Sequence, residues 1–187
     1  MSSVRVPTIK VQEMAIYVLI PSVGGDATVP GYEKCFVADS FSFGVEREMK
    51  ESGEKGGTED INIGVGELQG CTISKSLDSA SSLLAQFAIN GNSLGTAEIF
   101  FVDVGGKEGR PKCYLQYKLD RCFVKSWSTR CDASQRPTEE VTFYYNKIAF
   151  QHSATTDGMS VKPGRPMTWD NVKSRPWDAH GIVFKGA

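Results

Sequence analysis

The chain is poor in the residues that build metal and redox sites. Two histidines and five cysteines are spread through 187 residues. The cysteines stand at 35, 71, 113, 122 and 131, an odd set in which no two form a C-x-x-C. Such spacing offers neither a zinc cluster nor a disulfide framework, so the thiols are expected to be buried, reduced and inert. No metal site and no cofactor is expected. A long hydrophobic run is also missing. Met14 to Ile20 is apolar, but it falls far short of a membrane span, which argues against membrane insertion. As a signal-peptide core it is at the short limit, and no A-x-A-like site follows, so it reads as a first strand. Nor is there an excess of one charge. Lys+Arg is 21 against 22 for Asp+Glu, which leaves no electrostatic footprint for nucleic acid or an anionic membrane. Near-neutral copies repel one another weakly, which permits self-association.

Motifs of catalysis are absent as well. The sequence contains no G-x-x-x-x-G-K-[ST], no H-E-x-x-H and no EF-hand loop. His152 falls at the end of a strand-like run and His180 in the tail. Glu139 and Glu140 are adjacent in a strand-like run, so they face opposite ways and do not share a substrate. No catalytic residue is assigned, and the chain is not expected to be an enzyme.

What is present is ordinary globular material, 40% hydrophobic and 23% charged, long enough for one domain with a real core. Alternation predicts strands over 14–20 and 34–45, the latter ending on Phe41, Phe43 and Val45. From Glu46 to Gly66 charges and glycines dominate, and this stretch is expected to be a long exposed loop. Strand character resumes over 67–76. One helix follows, with Asp78 as N-cap, Ala80, Leu83, Leu84 and Phe87 on one face, and Gly91 beyond its end. Residues 96–104 and 112–127 are expected to form a hairpin around "GGKEGRP". Strand character is expected to fade over 153–187, where two Arg-Pro pairs precede Trp169 and Trp177. These tryptophans are candidate anchors for a tail that packs onto a surface.

Two strands change phase in the middle. In "CYLQYKLDRCFVKSW" the apolar positions run Leu115, Tyr117, Leu119 and then Cys122, Val124. In "RPTEEVTFYYNKIAF" they run Val141, Phe143, Tyr145 and then Ile148, Phe150. A period of two cannot slip without an extra residue, so Asp120-Arg121 and Asn146-Lys147 are candidate bulges or bends. Long strands bent near their middles suit a sheet curling into a barrel.

The ordered set "MAIYVLI", "ISKSLDSASSLLAQFAINGN", "YLQYKLDRCFVKSWS" and "RPTEEVTFYYNKIAF" resembles the haemolysin-coregulated protein (Hcp) family, the tube subunit of the type VI secretion system. The family's helix segment has a Lys-Ser/Thr-x-Asp start, then a leucine-rich turn and a glycine. Its last strand is led by a basic residue, often a Pro, then an acidic residue and E-x-V-x-[LF]. Arg136, Pro137, Glu139, Glu140, Val141 and Phe143 fit that lead.

The resemblance implies a mainly β fold, a small antiparallel barrel of two packed curved sheets with one short flanking α-helix. Residues 14–152 would be the barrel domain, with 46–66 as its long loop, 1–13 an N-terminal extension and 153–187 a C-terminal tail. The protein itself would be the main partner, as a homohexameric ring in a stack of rings. A contractile sheath, a spike protein at the tip and effector proteins would be the others. It would be cytoplasmic at synthesis and secreted without a signal peptide through the type VI apparatus. Glu48, Lys50, Glu51, Glu54 and Lys55 in the charged loop are candidate ring-stacking residues. Other readings are a carbohydrate- or small-ligand-binding β-sandwich, for which Tyr144, Tyr145, Trp127 and Trp169 would be stacking faces, and the tube protein of another phage-tail-like contractile particle.

Overall fold

The computed structural model describes residues 14–51, 61–104, 111–156, 160–178 and 180–183. The strands in chain order are β1 (Met14–Leu19), β2 (Phe36–Ala38), β3 (Ser40–Ser42), β4 (Val45–Glu51), β5 (Ile61–Leu68) and β6 (Cys71–Ser76). After the helix α1 (Ser81–Asn90) come β7 (Gly95–Asp103), β8 (Lys112–Arg130), β9 (Thr138–Thr156), β10 (Ser160–Pro163) and β11 (Met167–Asp170).

The main sheet has the order β2-β1-β7-β8-β9-β6-β3, and every pairing in it is antiparallel. β2 and β3 are successive in the chain, so the two ends of this order are one continuous segment. It pairs with β1 through Phe36–Ala38 and with β6 through Ser40–Ser42. At the crossing point the Asp39 N–H donates to the Ser74 carbonyl at 2.7 Å. The expected strand over 34–45 is therefore two short ones that bring the barrel close to closure, which leaves little free strand edge.

Period-two alternation fills the inside. Val18, Ile73, Ile99, Leu119, Val141, Phe143 and Ile148 are buried together with Leu84 of the helix. The two phase slips stand opposite one another. Asp120 pairs with Lys147 and Cys122 with Tyr145, so pairing between β8 and β9 passes through the slip unbroken. Against β7 the extra residue does appear, as a register shift between Gly95 and Ala97. Arg121 takes a left-handed φ of 50° there, the strained conformation of an extra residue accommodated in a bulge. Both long strands thus turn the barrel corner at the same level. A second bulge, between Val124 and Ser126, breaks no apolar phase strongly enough to be foreseen.

Three expectations need correction. Residues 46–66 are not simply a loop. β4 and β5 form a separate two-stranded antiparallel sheet, with Val45 opposite Leu68 and Glu46 opposite Glu67. Backbone pairing needs no apolar side chains, and Leu68 packs against the barrel core at the base of this arm. Strand character does not fade over 153–187: β9 runs on to Thr156, and β10 and β11 continue the sheet along it. The helix is capped two residues later than expected, at Ala80 instead of Asp78, and begins at Ser81. Asp78 organises the preceding turn by accepting the Ala80 N–H at 2.9 Å. Leu84 and Ala80 are buried, but Leu83 faces outward. Gly91 ends the helix as expected, with φ 68° and its N–H donating to Phe87 O.

A second small core lies on the outside of β1 and β7. Tyr17 and Phe100 point away from the barrel interior and are roofed by the segment between β1 and β2. Tyr32 of that segment stacks on Tyr17 at 4.8 Å and meets Phe100 edge-on at 5.6 Å. Cys35 and Cys113 are buried in the same cluster.

Candidate assembly surface

The residues that carried the resemblance converge at one point. Lys75 ends β6, Asp78 opens the turn into α1 and Glu139 begins β9. Lys75 Nζ lies 2.7 Å from Glu139 Oε1 and 2.5 Å from Asp78 Oδ1. The other oxygen of Glu139 accepts Trp127 Nε1 at 2.7 Å, and Ser81 Oγ donates to Oε1 at 2.9 Å. Both Lys75 and Glu139 are buried, so the cluster ties the helix start to three strands from inside. Its role is architectural, since no route to solvent reaches the ammonium. Glu140, one residue on, is exposed, as strand alternation required.

Four of the five cysteines are buried and Cys131 is exposed, contrary to expectation. Burial pushes the Cys71 thiol up to about 12 and raises Cys122 further, with the Cys71 charge adding to the effect. Tyr145 is raised by burial and then by the same two thiols, and its hydroxyl donates to Gln69 O at 2.8 Å. Among the described residues no group of three His, Cys, Asp or Glu side chains is placed to hold a metal ion.

The four aromatics named for a ligand platform do not form one. Tyr145 is inside the barrel, Trp127 is bound to Glu139, and Trp169 packs against the main core. Tyr144 alone is exposed, at 51%. Trp169 lies on β11 opposite Ile148. Trp177 sits under the ammonium of Lys147 at 5.3 Å, and that ammonium also pairs with Asp120 at 2.9 Å. Glu48, Lys50 and Glu51 belong to β4, while Glu54 and Lys55 lie outside the described residues.

The sheet formed by β3, β6, β9 and β8 shows a face on which polar residues run in rows. One row is Ser40, Ser74, Glu140 and Ser128, and the next is Ser42, Thr72, Thr142 and Ser126. A third is Ser76, Thr138 and Arg130. Hydroxyls meet across strands, Ser40 with Ser74 at 2.6 Å and Thr72 with Thr142 at 3.0 Å. These side chains are exposed or half-exposed. Most of these groups are short hydroxyls; Glu140 and Arg130 are the charged members of the rows, and Tyr144 stands at the upper end of the face. Sequence reading missed it because the small hydroxyl residues were seen only as gaps in the apolar alternation; their cross-strand register is a tertiary fact.

A small antiparallel barrel with one short helix among the described residues and an open polar face is thus the class of protein. The family model described as "Type VI secretion system effector, Hcp" matches residues 9–152. The chain belongs to the Hcp family of type VI secretion proteins, a family of secreted structural tube proteins. The match begins upstream of the boundary drawn at residue 14. Solved structures share the fold. One, described as a type six secretion system protein, superposes with TM-score 0.76 at 20% identity, covering 87% of this chain and 99% of that one. Hcp1 from Salmonella typhimurium gives 0.66 at 14% identity, covering 88% and 99%. The secreted protein Hcp3 from Pseudomonas aeruginosa gives 0.53 at 17%, covering 84% and 96%. No curated protein matches the chain in sequence.

Proposed function

We propose that the chain is a structural subunit of a type VI secretion tube. Copies close into a ring, hexameric by the family's implication, and rings stack into a tube. A contractile sheath propels the tube, a spike protein sits at its tip and effectors travel in its channel. The protein is made in the cytoplasm and leaves through the apparatus itself. The observation that carries this reading is the open hydroxyl face. A channel wall must stay hydrated and must not grip what passes. Rows of serine and threonine bind water well and reach only a short way from the sheet, the charged Glu140 and Arg130 among them are hydrated, and a broad apolar patch, which would adhere, is replaced by hydroxyls. Closure into a ring is the expected outcome of a repeated contact whose rotation closes.

In this reading the β4–β5 arm projects toward the adjoining ring. Glu48, Lys50, Glu51, Glu54 and Lys55 are its stacking charges, and Trp169 and Trp177 hold the tail on its own subunit. Negative-stain microscopy with light scattering is the test. Rings with a central opening are expected. Compact monomers at every concentration would overturn the reading.

A further inference from the structure

At the base of the β4–β5 arm a groove of about 480 Å³ opens onto the upper end of the hydroxyl face. Glu46, Glu67, Thr72, Lys125, Thr142 and Tyr144 are among the residues that line it. Glu46 and Glu67 are directly opposite one another across the two strands. Like charges in that position destabilise a strand pair. Both are exposed, and neither makes an ion pair among the described residues. The Tyr144 ring, with Phe123 6.5 Å away, offers a half-open π face beside them. Two carboxylates and an aromatic face are the surroundings a guanidinium seeks.

Among the described residues no guanidinium lines the groove, and the cation that does line it is the Lys125 ammonium. Arg47 is next to Glu46 in β4, so it projects to the other face of the arm. The turn from β8 to β9, by contrast, holds Arg130 and Arg136, both exposed and neither in an ion pair among the described residues. Asp132 is the carboxylate in that turn. Cys71 pairs with Phe143 beside the groove, and Ser76 pairs with Thr138 beside the turn. Groove and turn therefore lie at opposite ends of the same strands, about 20 Å apart along β9. They cannot meet in one copy.

We propose that the groove of one copy receives the Arg130/Arg136 turn of a second copy in the adjoining ring. The contact is heterologous, since each copy offers the groove at one end and the turn at the other. It propagates along the stack instead of closing. This inference rests on the ring-and-tube reading and adds the residues that meet between rings.

The test uses the full chain. Stacking is followed by sedimentation and negative-stain microscopy, and ring size is checked separately by light scattering. Glu46→Lys with Glu67→Lys, and separately Arg130→Glu with Arg136→Glu, are expected to keep rings intact. Each is expected to raise the protein concentration needed for stacks by about tenfold or more, because a modest pair energy repeats around the ring. The milder Glu46→Gln with Glu67→Gln guards against misfolding. It should weaken stacks and flatten their dependence on salt. The chain carrying all four reversals should stack again. Unchanged stacking in both reversed pairs, or no recovery in the fourfold variant, overturns the inference and leaves the ring reading intact. Wild-type rings that never stack also overturn it alone. A wild-type chain that stays monomeric overturns both.

Discussion

The ammonium of Lys75 and the carboxylate of Glu139 are 2.7 Å apart, and both side chains are sealed from solvent. Every polar atom of this pair is served: Lys75 also reaches Ser76 O and Asp78, and its charge lies 5.4 Å over the Phe36 ring. Such a pair is not itself a large source of stability, since desolvating two ions offsets their attraction. Breaking it is another matter. Lys75→Met would leave the Glu139 charge buried without its cation and is expected to cost about 3–5 kcal/mol. Glu139→Gln should cost less, because an amide oxygen can still accept from Trp127 or Ser81. Urea denaturation of the two variants measures both. An unchanged midpoint in Lys75→Met would show that the pair is hydrated.

Thiol chemistry should separate one cysteine from four. Cys131 is exposed, and Cys35, Cys71, Cys113 and Cys122 are buried. An aromatic disulfide reagent should label Cys131 in the native protein and reach the others only on unfolding. The same burial fixes a dependence on alkali. The fold holds Cys71 as the neutral thiol up to about 12, against an ordinary value of 9.0. A proton bound more tightly in the folded chain gives stability that is complete below the unfolded value and lost as pH rises toward the folded one. Tyr145 shifts in the same direction. Stability should therefore fall between about pH 9 and 12, and Cys71→Ala should flatten part of that fall.

Phe143 is fully buried at the pairing of β9 with Cys71 of β6. Phe143→Ala is expected to cost about 3–5 kcal/mol, the usual loss for a core aromatic. Thermal unfolding is the measurement. An unchanged melting temperature would mean that this strand face does not line the core.

Most of the barrel could be read from alternation alone, because along β6, β8 and β9 the inner residues are apolar and the outer ones mostly polar. Val141, Phe143 and Tyr145 point inward as their spacing required, and the slips at Asp120-Arg121 and Asn146-Lys147 mark a real corner. Alternation fails where pairing is not driven by apolar side chains. The arm 45–68 is held by backbone bonds between charged and glycine-rich strands, and its composition is that of a loop. Gly70, at its base, leaves no room for a side chain, since a Cβ there would lie 2.9 Å from Phe143 O. That need depends on a strand arriving from far along the chain. The Lys75–Glu139 pair was hidden for a similar reason: it exists only because β6 and β9, far apart in the chain, pair side by side. The polar face became visible only with register, because Ser40, Ser74 and Ser128 are unremarkable one at a time.

The tail offers the last prediction. Along β9, pairing with β6 stops at Phe143, and β11 takes up Lys147–Phe150. Without the tail those backbone groups would form a bare strand edge, a template for unwanted pairing. Two further ties hold it. The Asn171 N–H donates to Asn146 O at 2.8 Å, and the Asn171 side-chain amide donates to Tyr145 O at 3.4 Å. Trp169 packs on the main core, whereas Trp177 meets Lys147 near the surface. Trp169→Ala is therefore expected to cost about 1.5–3 kcal/mol, in the range for burying a large apolar side chain. Trp177→Ala should cost about 0.5–1 kcal/mol, as for an exposed cation–π contact. Deleting residues 165–187 should lower the melting temperature and produce irregular aggregates in place of discrete species. Equal costs for the two tryptophans, or a truncated chain as stable and discrete as the whole, would show that the tail does not guard this edge.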